Sequence, residues 1–180
     1  TVAGIGRSAT SGGQLGNLLA VPPERAALLR PIVDRLRGAD RVVLTTHVNA
    51  DADGGGSEAA IAAWLESLGV RVAIVNPTPF PSNLRFLLPR EDLTLEIAVP
   101  GARRALATAD VTLVLDTSEA NRVAPLMDWL DESRTFVVDH HPPGPTVVGR
   151  GGVQDPGAPA AGELVYDRIS LSGDCWSPLT

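Results

Sequence analysis

The chain has 180 residues, about one domain by length, with room for a single sizeable core. Its formal charge is −6, its fifteen basic residues are all Arg, and its 44% hydrophobic content excludes a fully disordered chain. The acid excess argues against tight binding to duplex DNA, the 4% aromatic content argues against a stacking platform for single strands, and the lone Cys175 excludes a disulfide framework or a Cys-rich zinc module.

Residues 1–20 are rich in Gly, Ser and Thr without periodicity and predict a flexible lead-in. They hold no basic stretch followed by an apolar run, and the chain has no apolar segment of membrane-spanning length. The expectation is a cytoplasmic protein with no membrane partner, starting at Thr1 as a fragment or processed form. Pro22-Pro23-Glu24 opens a helix with Leu28, Leu29, Ile32, Val33 and Leu36 on one face and Pro31 as a candidate kink. After Gly38 the pattern predicts a strand over 41–46 and a helix over 57–68 carrying Ala60, Ile61, Trp64, Leu65 and Leu68. That helix stops at Gly69, and a strand over 70–75 follows. A short helical turn over 83–88, a helix over 103–108, a strand over 111–115, a helix over 122–130, a strand over 135–138 and a helix over 160–171 complete the reading. Strands alternating with helices imply an α/β fold, a mostly parallel sheet with helices on both faces.

Ligand crevices in such sheets lie beyond the carboxyl ends of the strands. Strand 41–46 runs into His47, Asp51 and Asp53, strand 111–115 into Asp116, and strand 135–138 into Asp139, His140 and His141. Taken singly, Asp51 and Asp53 suit a turn, Asp116 suits a helix cap, and His140-His141 suits a polar loop. Three clusters at one topological position, using every histidine in the chain, suit a site.

Imidazole with several carboxylates and no thiolate favours manganese or a similar divalent ion over a closed zinc site. Four or more carboxylates suit two ions, which can clamp a phosphate, acidify a water between them and steady the leaving oxygen. A glycosidase-type carboxylate pair would leave the histidines without a role. Gly54-Gly55-Gly56-Ser57 lies between Asp53 and the expected helix, where glycines would admit a phosphate to a helix N-terminus or simply make a turn. It is not a Walker A loop, which needs a Lys.

The segment from His47 through Asp51, Asp53 and Gly54 to Gly56-Ser57 resembles the first motif of the DHH phosphoesterases. Asp116-Thr117-Ser118 resembles the second, and Asp139-His140-His141 carries the Asp-His-His itself. Asn76-Pro77 through Phe86-Leu87 is similar to the connecting segment of the branch with oligoribonuclease and pAp-phosphatase activity. The resemblance implies two manganese ions, with magnesium or cobalt as substitutes. His47 and Asp51 would hold the first ion, Asp53 and His140 the second, and Asp116 both. Asp139 would orient a neighbouring imidazole, His141 would contact the scissile phosphate, and Gly55, Gly56 and Ser57 would border the substrate.

The implied function is hydrolysis of short oligoribonucleotides or pAp by a metal-activated water, with short RNA or a small nucleotide as partner. The assembly is left open between monomer and homodimer. The alternatives are a cyclic dinucleotide phosphodiesterase, a pyrophosphatase-like hydrolase, or a metal- or nucleotide-binding module without turnover. On this resemblance residues 21–180 are a catalytic domain that ends before the family's last metal-binding Asp and its C-terminal substrate-binding domain. Asp155 is expected at a helix entry rather than on a metal, and Pro159, Ala160 and Ala161 stand where the family often has hydroxyl residues.

Overall fold

A computed structural model of the chain describes residues 20–173. The lead-in expected over 1–20 lies, apart from Ala20, outside the described residues, as does Cys175. Helix α1 (Pro23–Arg37) begins with Pro at its first position and runs through Pro31 to a cap at Gly38. Strand β1 (Arg41–Thr45), helix α2 (Ala52–Ser67) and strand β2 (Arg71–Ile74) follow, then short 3₁₀ turns over Ser82–Leu87 and Glu91–Leu93. Next come α3 (Pro100–Thr108), β3 (Val111–Leu115), an irregular segment Ala120–Trp129, a 3₁₀ turn Glu132–Arg134, β4 (Thr135–Asp139), β5 (Gly151–Gln154) and α4 (Ala161–Leu171).

The five strands form one parallel sheet in the order β2-β1-β3-β4-β5. Alternate residues feed two layers, because successive side chains of a strand point to opposite faces. Leu44, Leu113, Leu115 and Val138 pack with Leu29 and Ile32 of α1, Ile61 and Leu65 of α2, and Leu164 and Ile169 of α4. On the other face Val43 packs with Ala102 and Leu106 of α3, and Val114 and Val137 pack with Val123 and Val148. The α/β architecture with helices on both faces is the one expected.

Three details depart from the sequence reading. Helix α2 starts at Ala52 rather than Ser57, because the Asp51 carboxylate accepts the backbone N–H groups of Asp53 (2.9 Å) and Gly54 (3.2 Å) and caps it there. The glycine run is therefore helix, not loop. The expected helix 122–130 is a 3₁₀-type segment broken at Val123 (φ −115°, ψ 15°), with Pro125 removing one N–H donor from it. Strand β5 was invisible as an apolar run because only Val153 is apolar. Gly152 lies at φ +152°, and a Cβ on it would stand 2.1 Å from the Val137 carbonyl oxygen, so glycine is what lets this strand reach β4.

Arg25 is the clamp that holds α1 to α4. Its guanidinium is bonded to Asp155 (2.8 Å), Glu163 (2.5 Å) and Asp167 (2.7 Å). These bonds outweigh the cost of burial and raise its pKa further above the ordinary Arg value. Asp155 thus lies in the turn directly after β5, ahead of α4 rather than at its first turn, held by Arg25 and by the Gly157 N–H (2.9 Å).

Candidate metal centre

The strand order reverses direction between β1 and β3, and His47 and Asp116 follow these two strands. Such a switch point opens a crevice at the carboxyl edge. His47 is buried and turns Nδ1 to the Val48 carbonyl (2.9 Å), which makes Nδ1 the protonated nitrogen and leaves Nε2 as a donor atom for an ion. That Nε2 stands 3.3 Å from Asp116 Oδ2 and 4.0 Å from Asp51 Oδ1. Asp116 is buried, with its backbone in the left-handed region at φ +59°, and its N–H continues the ladder to Val138 O (2.9 Å). Asn49, two residues past His47, is the other non-glycine residue at positive φ among the described residues. Both sit at the crevice, where strained backbone commonly marks function.

From β4, His140 Nε2 lies 3.4 Å from Asp116 Oδ1 and 3.6 Å from Asp53 Oδ2. His141 Nδ1 donates to Asp139 Oδ1 (2.8 Å) and is 3.7 Å from Asp116 Oδ1. Gln154 of β5 holds this loop, donating to the His141 carbonyl (2.9 Å) and to Ser118 Oγ (2.7 Å). Two sets have ligand atoms within 4.8 Å of one another: His47, Asp51 and Asp116, and Asp116, His140 and His141. Asp116 belongs to both. Asp53 stands in neither, and its two oxygens accept the N–H groups of Ala161 and Gly162 at the start of α4, each at 2.8 Å.

The electrostatics match a cation site. The Asp116 carboxylate 3.3 Å from its Nε2 raises the His47 pKa above its ordinary value, outweighing burial. Burial pulls Asp51 upward, but the N–H groups of Gly54 and Asp53 and the charges of His47 and Arg122 hold its carboxyl below the usual range. Three buried atoms at this edge lack any hydrogen-bond partner: His47 Nε2, Asp116 Oδ1 and Asp139 Oδ2. Native proteins rarely leave buried polar atoms unpaired, and imidazole nitrogen and carboxylate oxygen are ligands that a divalent ion accepts together. The residues present fit a metal.

The glycine run stands apart from this cluster in its packing. The Gly55 N–H bonds the Asp51 carbonyl, and a Cβ there would meet Leu84 Cδ1 at 3.1 Å. Gly56 borders open space, while Ser57 is buried with its hydroxyl unpartnered. Gly54 leaves room for Thr46, whose hydroxyl oxygen would be 2.5 Å from an added Cβ.

The sequence reading missed Glu58, which is fully buried with its carboxyl pushed by burial up to about 8. The signal was there: positions 58, 61 and 65 share one helix face with Ile61 and Leu65, so an acid interrupts an apolar stripe.

The model of the DHH family, N-terminal domain, matches residues 41–176. Among solved structures, an exopolyphosphatase-related protein from Bacteroides fragilis superposes with a TM-score of 0.73 at 26% identity, over 82% of this chain and 44% of that one. RecJ from Thermus thermophilus, in complex with Mn²⁺, gives 0.49 at 22% identity over 86% of this chain and 22% of that one. An exonuclease RecJ bound to manganese gives 0.49 at 23% identity over 83% and 36%. The chain spans less than half the length of each. No curated protein matches it significantly. Among the described residues no helix is long and apolar enough to cross a membrane.

Proposed function

Because the chain belongs to the DHH family, whose N-terminal domain it carries, we propose that it is a metal-dependent phosphoesterase that hydrolyses short oligoribonucleotides and pAp at a two-manganese site. The observation that carries this reading is the pair of buried, unpartnered ligand atoms, His47 Nε2 and Asp116 Oδ1, at one edge of the sheet. Leaving such atoms unpaired costs about 1–3 kcal/mol each, a cost that a bound cation removes.

In this reading His47 and Asp51 hold one ion, Asp53 and His140 the other, and Asp116 both. The ions, when bound, supply Lewis-acid polarisation of the phosphoryl group and offset charge on the leaving oxygen. The protein supplies the orientation. Asp139 accepts from Nδ1 of His141, so the imidazole is held with Nε2 available to the scissile phosphate, where a fixed donor is worth most as charge develops. The α4 N-terminus steadies the Asp53 carboxylate. Gly56, bordered by open space, is the glycine that would let a substrate come close.

The test is a hydrolysis series in manganese on labelled RNAs from dinucleotides to long strands, with pAp alongside. For the whole protein the expected result is turnover of pAp and of the shortest RNAs, a fall in rate with length, and no turnover by Asp116→Ala. Equal rates on dinucleotides and long RNA would sink the assignment. The likeness to an exopolyphosphatase-related protein favours one second reading, hydrolysis of phosphoanhydrides. Faster release of phosphate from polyphosphate than from RNA would select it.

A further inference from the structure

Beneath the ligand edge runs a buried polar chain that the proposed chemistry does not use. Glu58 of α2 accepts an Asn76 side-chain N–H on Oε2 at 3.0 Å. Asn76, just past β2, accepts the backbone N–H of Thr46 on its Oδ1 at 3.1 Å. The Thr46 hydroxyl donates to the Leu115 carbonyl at 2.8 Å. Thr46 directly precedes His47, and Leu115 directly precedes Asp116. Three hydrogen bonds therefore tie together the ends of β2, β1 and β3, one residue below the two side chains that meet at 3.3 Å.

Core packing alone does not call for this. Glu58 has a second oxygen with no partner, and a buried carboxyl in that state is destabilising. A leucine at 58 would extend the stripe of Ile61 and Leu65. What needs the carboxyl is Asn76, because an amide presents a donor on one side and an acceptor on the other and can flip between them. An acceptor opposite Nδ2 holds its Oδ1 toward Thr46. Gly54 belongs to the same device, since any larger residue would press on the Thr46 hydroxyl.

We propose that Glu58 is a positioning residue that acts through Asn76 and Thr46 to set the placement of His47 against Asp116, and with it the affinity of the site for a divalent cation. The affinity half rests on the metal-dependent reading above; the placement half does not.

Two variants separate the roles. Glu58→Gln keeps an acceptor for Asn76, whereas Glu58→Leu removes it while relieving the buried polar atom. In metal-free protein, amide hydrogen exchange at Thr46 should be about tenfold or more faster in Glu58→Leu than in Glu58→Gln, with Leu44 in mid-strand unchanged. Manganese affinity by calorimetry should fall about tenfold or more in Glu58→Leu and stay close to wild type in Glu58→Gln. A purely structural Glu58 would speed exchange at Leu44 as much as at Thr46 and leave manganese affinity unchanged. Equal Thr46 exchange in the two variants overturns the proposal, as does faster exchange with unchanged manganese affinity. If Glu58→Leu does not fold, Glu58→Met, which keeps the unbranched length of the side chain but offers Asn76 no oxygen acceptor, carries the same expectations and the same refutations. A wild type that binds no manganese overturns the metal reading and the affinity half, while Thr46 exchange still decides the placement half.

Discussion

The carboxylate of Asp53 caps the N-terminus of a helix that begins 108 residues later, accepting the N–H groups of Ala161 and Gly162 with one oxygen each. A carboxylate there is favoured by the helix dipole and by two otherwise unsatisfied donors. The same side chain stands 3.6 Å from His140. One residue thus joins the fold of α4 to the edge that carries His140 and Asp116.

This double duty can be separated. Asp53→Ala should lose about 1–2 kcal/mol of stability through the lost cap. Asp53→Asn, which keeps one acceptor oxygen, should lose less, yet both should weaken manganese binding. Thermal unfolding with and without manganese checks it. A full manganese-induced rise in Tm for Asp53→Asn would remove Asp53 from the ligand set.

Manganese itself should stabilise the native protein, because a ligand of the folded state must; at one hundred times Kd the gain is about 2.7 kcal/mol. Asp116→Ala should abolish the rise in Tm, since Asp116 would hold both of the proposed ions. His141→Ala should keep most of the rise and lose turnover, because its proposed partner is the phosphate. A Tm indifferent to millimolar manganese in the wild type would count against a preformed site.

The Glu58 carboxyl is raised from an ordinary 4.5 to about 8 by burial, only partly opposed by the bond from Asn76. Between those values the folded protein keeps a proton that the unfolded chain has lost. Stability should therefore fall as pH rises from 4.5 to 8 and lose nothing more from this group above 8. The whole effect is on the order of 5 kcal/mol. Glu58→Gln carries no such proton, so its advantage in Tm over wild type should grow across that window and then level off. A difference that stays flat with pH would mean that Glu58 is ionised in the folded protein.

Gly54 lies in the first turn of α2, where alanine would ordinarily stabilise a helix. Here an added Cβ would sit 2.5 Å from the Thr46 hydroxyl oxygen, which is tied to Leu115. Gly54→Ala should therefore destabilise by about 1–3 kcal/mol through overpacking, measurable by urea unfolding. Gly56→Ala, with nothing within 4 Å of its added Cβ, should be neutral or stabilising. The contrast between two glycines two residues apart tests whether packing against Thr46 is what selects glycine at 54.

Much of this molecule was legible in its sequence, for local reasons. An apolar run that stops at a polar residue marks where a buried strand leaves the core, so the positions of His47, Asp116 and Asp139 at strand ends followed from residues next to them. The alternation of strands with helices likewise predicted a parallel sheet covered on both faces, since buried strands leave little other way to connect. Tertiary structure decided what depended on distant partners. Strand β5 exists because Gly152 can approach Val137, a pairing that no apolar run announces. Helix α2 is capped locally by Asp51, but its glycine run holds as helix where Gly54 and Gly55 pack against Thr46 and Leu84, which offsets their poor propensity. Asp53 reaches α4, and Glu58 reaches Asn76 and through it Thr46, by contacts between segments that only the folded sheet brings together. A hydrogen bond across such a distance leaves no periodicity in the chain; the one trace it left was an acid on the apolar face of a helix.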